Sequence, residues 1–180
     1  TLVKAEKDVE RLQLKLRNLR TARTSSITAL RAARRARFDT RNETAKRWEQ
    51  QLGARVKVGI THLGGREAYG AKLKELLKGS YVQEKDQRSV VGALDPWRLV
   101  ELVQKNDTAP LVAAGMPQDT ATRMFEFLSQ KHGELLAIEA VPLPDVPEIS
   151  FEVQLGIHKP LNTLSVGGKG TVVMLLAMIE

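Results

Sequence analysis

Apolar residues recur at alternating spacings of three and four at the start of the chain: Leu2, Ala5, Val9, Leu12, Leu16 and Leu19. That rhythm predicts a helix with a heptad seam at positions a and d. Arg23, Ser26, Leu30, Ala33 and Arg37 continue the register, so charge and polarity weaken the seam toward its C-terminal half. No Gly or Pro occurs before Gly53, and the segment is rich in Leu, Ala, Arg, Lys and Glu, which are strong helix formers. Two readings fit: a charged, solvated helix, and one strand of a coiled coil. A coiled coil needs a second strand. None lies within residues 1–57, so it would come from elsewhere or from another chain.

Beyond Gly53 the periods change. Polar and apolar residues alternate from Arg55 to Ile60, a strand pattern, and Gly64-Gly65 marks a turn. Helical spacing returns at Glu67–Leu77, stopped by Gly79-Ser80, while Val82–Val91 is charged and ambiguous. Asp95 as N-cap and Pro96 at the first helical position predict a helix over Pro96–Lys105. Another spans Asp119–Gln130, with Ala121, Met124, Phe125 and Leu128 read as core. Leu135–Ala140 reads as a short strand, and Pro142, Pro144 and Pro147 mark an extended connector. Ile149, Phe151, Val153 and Leu155 alternate with polar residues, predicting a strand with one buried face. Pro160–Val166 reads as loop, and the apolar run after Lys169 as a buried helix.

Composition narrows the possibilities. An apolar fraction of 42% supports a core, and an aromatic fraction of 4% makes that core mainly aliphatic. With no cysteine, disulfides, thiolate catalysis and cysteine-ligated metals are excluded, which fits a reducing, cytoplasmic setting. The longest apolar run, Val172–Ile179, is far shorter than the roughly 20 residues of a membrane span, so no membrane partner is expected. Charge is unevenly placed: residues 1–47 hold 14 Lys/Arg against 5 Asp/Glu, whereas the rest is slightly acidic. A basic arm on a near-neutral globule is the electrostatic footprint of a nucleic-acid backbone as partner. The abrupt start at Thr1, and the end at Glu180 inside an apolar run, read as a portion of a longer polypeptide.

The segment that carries chemistry is Leu164-Ser165-Val166-Gly167-Gly168-Lys169. A serine and two glycines stand before a helix whose first N–H groups are unpaired and whose dipole is positive at that end. Glycines admit an anion close to the backbone, and Ser and Lys add side-chain donors, so the construction suits phosphate. It is not a Walker A loop: Gly170 replaces the magnesium-binding Ser/Thr, and Thr163 stands where the first Gly belongs. A plainer reading is a flexible glycine loop before a core helix.

With the lead-in Lys159-Pro160-Leu161, this segment resembles the L-S-x-G-x-K signature of SMC-like, ABC-type coiled-coil ATPases in the RecF/RecN/TrlF-like group. The resemblance covers about a dozen residues as a motif. As an order of elements (helical arm, strand, small helices, proline-rich strand, signature) it extends over most of the chain. It implies an α/β fold: a basic coiled-coil arm over 1–52, then the C-terminal lobe of an ABC-type ATPase head over 53–180. It also implies ATP and Mg2+, held mainly by parts outside this chain, with Leu164–Lys169 touching ATP in trans. Ser165 would bond the γ-phosphate, Gly167 would open the backbone to it, and Lys169 would lie near the ribose or phosphates. Val166 replaces the first glycine of the commonest signature and Gly168 its usual Gln or Glu, which points to slow or unusual hydrolysis. Walker A, Walker B and the switch histidine are not identifiable, and Glu180 is a poor catalytic base, so this portion alone would be inactive. The implied partners are a second head, the Walker A half and DNA. The implied tasks are DNA repair, chromosome organisation or phage defence.

Arg31, Arg34, Arg35 and Arg41, with Arg37 among them, form a broad basic face that reads either as solvated or as a phosphate-backbone contact. In SMC-like ATPases the arm–head junction commonly holds DNA, and these residues are the DNA-binding candidates. His62, His132 and His158 are too scattered for a metal site and read as surface or loop histidines. Trp48 and Trp97 read as packing residues. Two rivals remain: a non-enzymatic nucleic-acid-binding module, and a scaffold that dimerises through its coiled coil.

Overall fold

A computed structural model describes residues 2–179, with the side chains of Val3 and Ala54 left undescribed. The chain is mixed α/β and mostly helical, with a long N-terminal helix and a small three-stranded antiparallel sheet. Helix α1 runs Leu2–Leu52, uninterrupted as its lack of Gly and Pro predicts. Two compact units divide between Ala36 and Arg37. In the first, the seam leucines Leu12, Leu16 and Leu19 are all exposed.

The second unit begins with the last turns of α1. Gly53, at φ +66°, ends the helix in a left-handed conformation that a side chain would resist. Strand β1, Val56–Thr61, alternates as its sequence predicts: Val56 and Val58 are buried while Lys57 and Gly59 face out. It pairs antiparallel with β2, Val146–Gln154, in the register Val56↔Phe151 through Thr61↔Val146. β3, Ile157–Pro160, completes the order β1-β2-β3.

A helical module is inserted between β1 and β2. It comprises α2 (Glu67–Leu76), α3 (Glu84–Ala93), α4 (Pro96–Lys105), α5 (Ala109–Ala113), α6 (Gln118–Gln130) and α7 (His132–Ala137). Its core is aliphatic around Tyr69 and Phe125, with Leu73, Leu99, Leu102 and Leu128 fully buried. The strand expected at Leu135–Ala140 is instead α7 and a 3-10 turn, Ile138–Ala140. Leu135 and Ile138, three apart, both pack into this core, a helical period that a six-residue apolar run conceals. Asp95 does stand before α4, but it makes no side-chain cap. Its carboxylate instead accepts from Arg66 Nη2 at 2.7 Å. The same guanidinium donates to the Val91 and Leu94 carbonyls, satisfying the C-terminal end of α3.

A second, smaller core holds the sheet. Ala45 of α1, Val56 and Val58 of β1, Leu164 and Val172 pack together, flanked by Ile149 and Phe151 of β2. Leu155, expected to continue the buried face of the strand, is 98% exposed in the β2–β3 turn beside Gly156 at φ +77°. Trp48, read as a packing residue, is exposed on the solvent side of α1, whereas Trp97 packs against the helical core.

Candidate functional site

The signature segment is more helical than its sequence suggests. A 3-10 turn, Leu161–Thr163, follows β3, and α8 spans Val166–Ala177. Gly167, Gly168 and Lys169 therefore lie inside the first turns of the helix, correcting the expected loop up to Val166 and helix onset near Lys169. The reason is a serine cap. Ser165 is extended at φ −62°, ψ 164°, and its Oγ accepts from the Gly168 N–H at 3.3 Å. The first intrahelical bond runs from the Lys169 N–H to the Ser165 carbonyl at 2.9 Å. The amides of Val166 and Gly167 precede it and lie on the exposed side.

Leu164 is buried in the sheet core and anchors the segment from below, while Ser165, Val166, Gly167 and Lys169 are exposed. The helix that follows is not buried as expected. Only Val172 is fully enclosed, and Val173, Met174 and Met178 stand in solvent. A helix that is apolar all round can bury only the side that meets the sheet, and here that side is narrow.

The glycines are not demanded by packing. A Cβ added at Gly167 or Gly170 would meet nothing within 4 Å, and at Gly168 it would meet only ordinary contacts with Leu164 and Ser165. Each glycine nonetheless costs a helix roughly 0.5–1 kcal/mol relative to alanine. Beside α8 lies a concavity of about 900 Å³, with Lys169 of α8 and Lys57 of β1 on its wall. The segment 164–169 contains no carboxylate, so nothing in it suits Mg2+. Among the described residues, no group of three or more His, Asp or Glu forms a metal site. No helix among them is long and apolar enough to cross a membrane.

The basic candidates are dispersed in character. Arg31 and Arg35 are exposed, whereas Arg34 is 8% exposed. Arg41, in the second unit, is half-exposed and donates from Nη1 to Asp145 Oδ2 at 3.3 Å. Arg37 Nε lies 3.8 Å from the same oxygen.

Sequence reading missed this cluster. Asp145 has a side chain only 1% exposed, and besides the two arginines it accepts from the Leu63 N–H at 3.2 Å and meets His62 Nδ1 at 3.0 Å. Burial by itself would raise the Asp145 pKa. The Leu63 amide, His62 and Arg37 outweigh burial and hold the carboxyl below its ordinary 3.8. An ionised carboxylate only accepts, so His62 must carry its proton on Nδ1. His62, read as a surface or loop histidine, is thus half-buried and also lies tilted against Phe38, with ring centroids 4.6 Å apart and planes at 45°. The only sequence signal was an Asp just before a strand and a His just after one.

Comparison of the chain with family models, with curated proteins and with solved structures finds no match.

Proposed function

We propose that this chain is part of an SMC-like ATPase in which two heads hold ATP between them, with the Leu164–Lys169 segment completing the site in trans. The supporting observation is the glycine pair in the first turn of α8. Gly167 weakens the helix, makes no contact that a methyl group would disturb, and sits exposed beside unpaired amides. A residue that the fold does not need, placed where it removes bulk from a positive helix end, suits the close approach of a phosphate from outside. Ser165 and Lys169 add a hydroxyl and an ammonium at the same end, and Leu164 fixes the segment to the sheet.

In this reading the protein contributes positioning and electrostatic stabilisation to phosphoryl transfer. The Ser165 hydroxyl, already accepting from Gly168, still has its proton to donate to a phosphate oxygen. Mg2+ and the water-activating carboxylate come from elsewhere in the assembly. Head engagement on ATP and release on hydrolysis would move the coiled-coil arms, and the basic arm would hold DNA.

The test is ATP turnover by the full-length protein, with and without DNA, for wild type and Ser165→Arg. Turnover should collapse while ATP binding to the Walker A half persists. Unchanged turnover, or none in the wild type, would leave the segment as a structural cap. The second reading, a nucleic-acid-binding module, is favoured by the surplus of nine positive charges in residues 1–47. It expects salt-sensitive DNA binding that ATP does not alter.

A further inference from the structure

The concavity beside α8 combines features that the signature segment does not explain. Its volume of about 900 Å³ falls within the range of small-molecule sites. Lys57 of β1 and Lys169 of α8 both line it, so two separate elements bring a basic residue to its wall. Neither lysine has an ion-pair partner among the described residues. The carboxylate in the wall, Glu148, accepts from the Thr61 hydroxyl. Two lysines against one carboxylate leave the wall with one surplus positive charge.

The rest of the wall is suited to a flat organic body rather than to an inorganic ion alone. Pro147 and Pro160 present rigid apolar surfaces, and the Asn162 amide offers a donor and an acceptor side by side. Gly59 widens the floor, since a Cβ there would meet only the Glu148 carbonyl, at 3.9 Å. In the β1–β2 register Gly59 lies opposite Glu148, and Lys57 opposite Ser150. Lys57, the Ser150 hydroxyl and the Glu148 carboxylate thus share one face of the sheet.

We infer that this cavity binds a mononucleotide in cis. The phosphates meet Lys57 and Lys169, the base lies against the prolines, and Asn162 reads the base edge. Ser150 and Glu148 are placed for the ribose hydroxyls. This site needs no opposing head and does not include Ser165; it shares Lys169 with the trans contact proposed above and is otherwise built from residues outside that segment.

The experiment titrates ATP into this 180-residue chain by calorimetry, for wild type, Lys57→Glu, Lys57→Gln and Ser165→Arg, with thermal melts confirming that each is folded. Saturable binding is expected for wild type and Ser165→Arg. Lys57→Gln should weaken it, and Lys57→Glu should weaken it by roughly ten-fold or more. AMP should compete and adenosine should not. Absence of saturable binding by the wild type, binding indifferent to Lys57→Glu, or adenosine competing as well as AMP would each overturn the inference. Loss of turnover in Ser165→Arg with this binding retained would separate the two sites.

Discussion

His62 and Asp145 stand 83 residues apart in sequence, yet their side chains meet at 3.0 Å. The contact closes the neck of the helical module. Thr61↔Val146 is the last pair of the β1–β2 ladder, so His62 and Asp145 are the first residues beyond it on either strand. The module from α2 to α7 leaves and re-enters the sheet through this pair. The same carboxylate also gathers Arg37 and Arg41 from α1, so one buried group ties the base of the helix, the sheet and the module together.

Asp145→Asn should therefore destabilise the second unit by roughly 2 kcal/mol, because it leaves the Arg37 and Arg41 charges without their counterion. Arg37→Ala and Arg41→Ala, each at a half-exposed position, should cost about 1 kcal/mol or less. Urea denaturation of the three variants checks the order. Equal losses would mean that the arginines, not the carboxylate, organise the neck.

The depressed Asp145 pKa sets a pH dependence. The unfolded state takes up the proton first as pH falls, so the stabilisation is fully present above the ordinary 3.8 and drains away below it, toward the folded value. The urea midpoints of wild type and Asp145→Asn should differ at about pH 7 and converge as the pH falls below 3.8. A gap that stays constant over that range would show that Asp145 is not the titrating group.

Gly167→Ala separates the fold from the proposed activity. With nothing near its Cβ position, alanine should stabilise α8 by roughly 0.5–1 kcal/mol. If the proposed trans contact holds, ATP turnover by the full-length protein should nevertheless fall, because the methyl group would stand in the path of the phosphate. Thermal melts and turnover would be measured on the same preparations. Raised stability with full turnover would remove the main support for the trans contact.

Gly65→Ala should do the opposite. Its added Cβ would come within 2.6 Å of Pro144 Cγ, in a ring that cannot rotate away. The Gly65 N–H also donates to the Pro144 carbonyl at 2.9 Å, so the two segments cannot easily part. A loss of about 1–3 kcal/mol is expected by urea denaturation, and a neutral result would show that the neck relaxes readily.

The exposed seam of α1 makes a concentration-dependent prediction. Leu12, Leu16 and Leu19 have about half or more of their surface open to water. If they pair with a second helix, helicity and thermal midpoint will rise with protein concentration, and Leu12→Glu with Leu19→Glu will abolish that rise. Flat behaviour in the wild type would identify a solvated helix instead.

Where local rules were strong, the sequence read correctly. The unbroken run of helix formers specified α1, alternation specified β1, and Pro96 at the first helical position specified α4. Helical spacing likewise placed the core residues of α6. The signature segment was visible as residue types, but its conformation was not. Whether Ser165-Val166-Gly167-Gly168 forms a loop or a capped helix turns on one hydrogen bond and on Leu164 being held in the sheet core.

Tertiary structure decided the remainder. The short apolar run Leu135–Ala140 suits strand or helix, and only the neighbouring helices, which bury Leu135 and Ile138 together, select the helical period. Arg41 looked like one more cation of a basic face until the fold brought it to Asp145, and His62 looked like a loop histidine until β1 and β2 paired. Periodicity is written in neighbouring residues and can be read along the chain. A charge cluster is assembled from distant ones, and it exists only after hydrophobic burial has set the register of the strands that carry it.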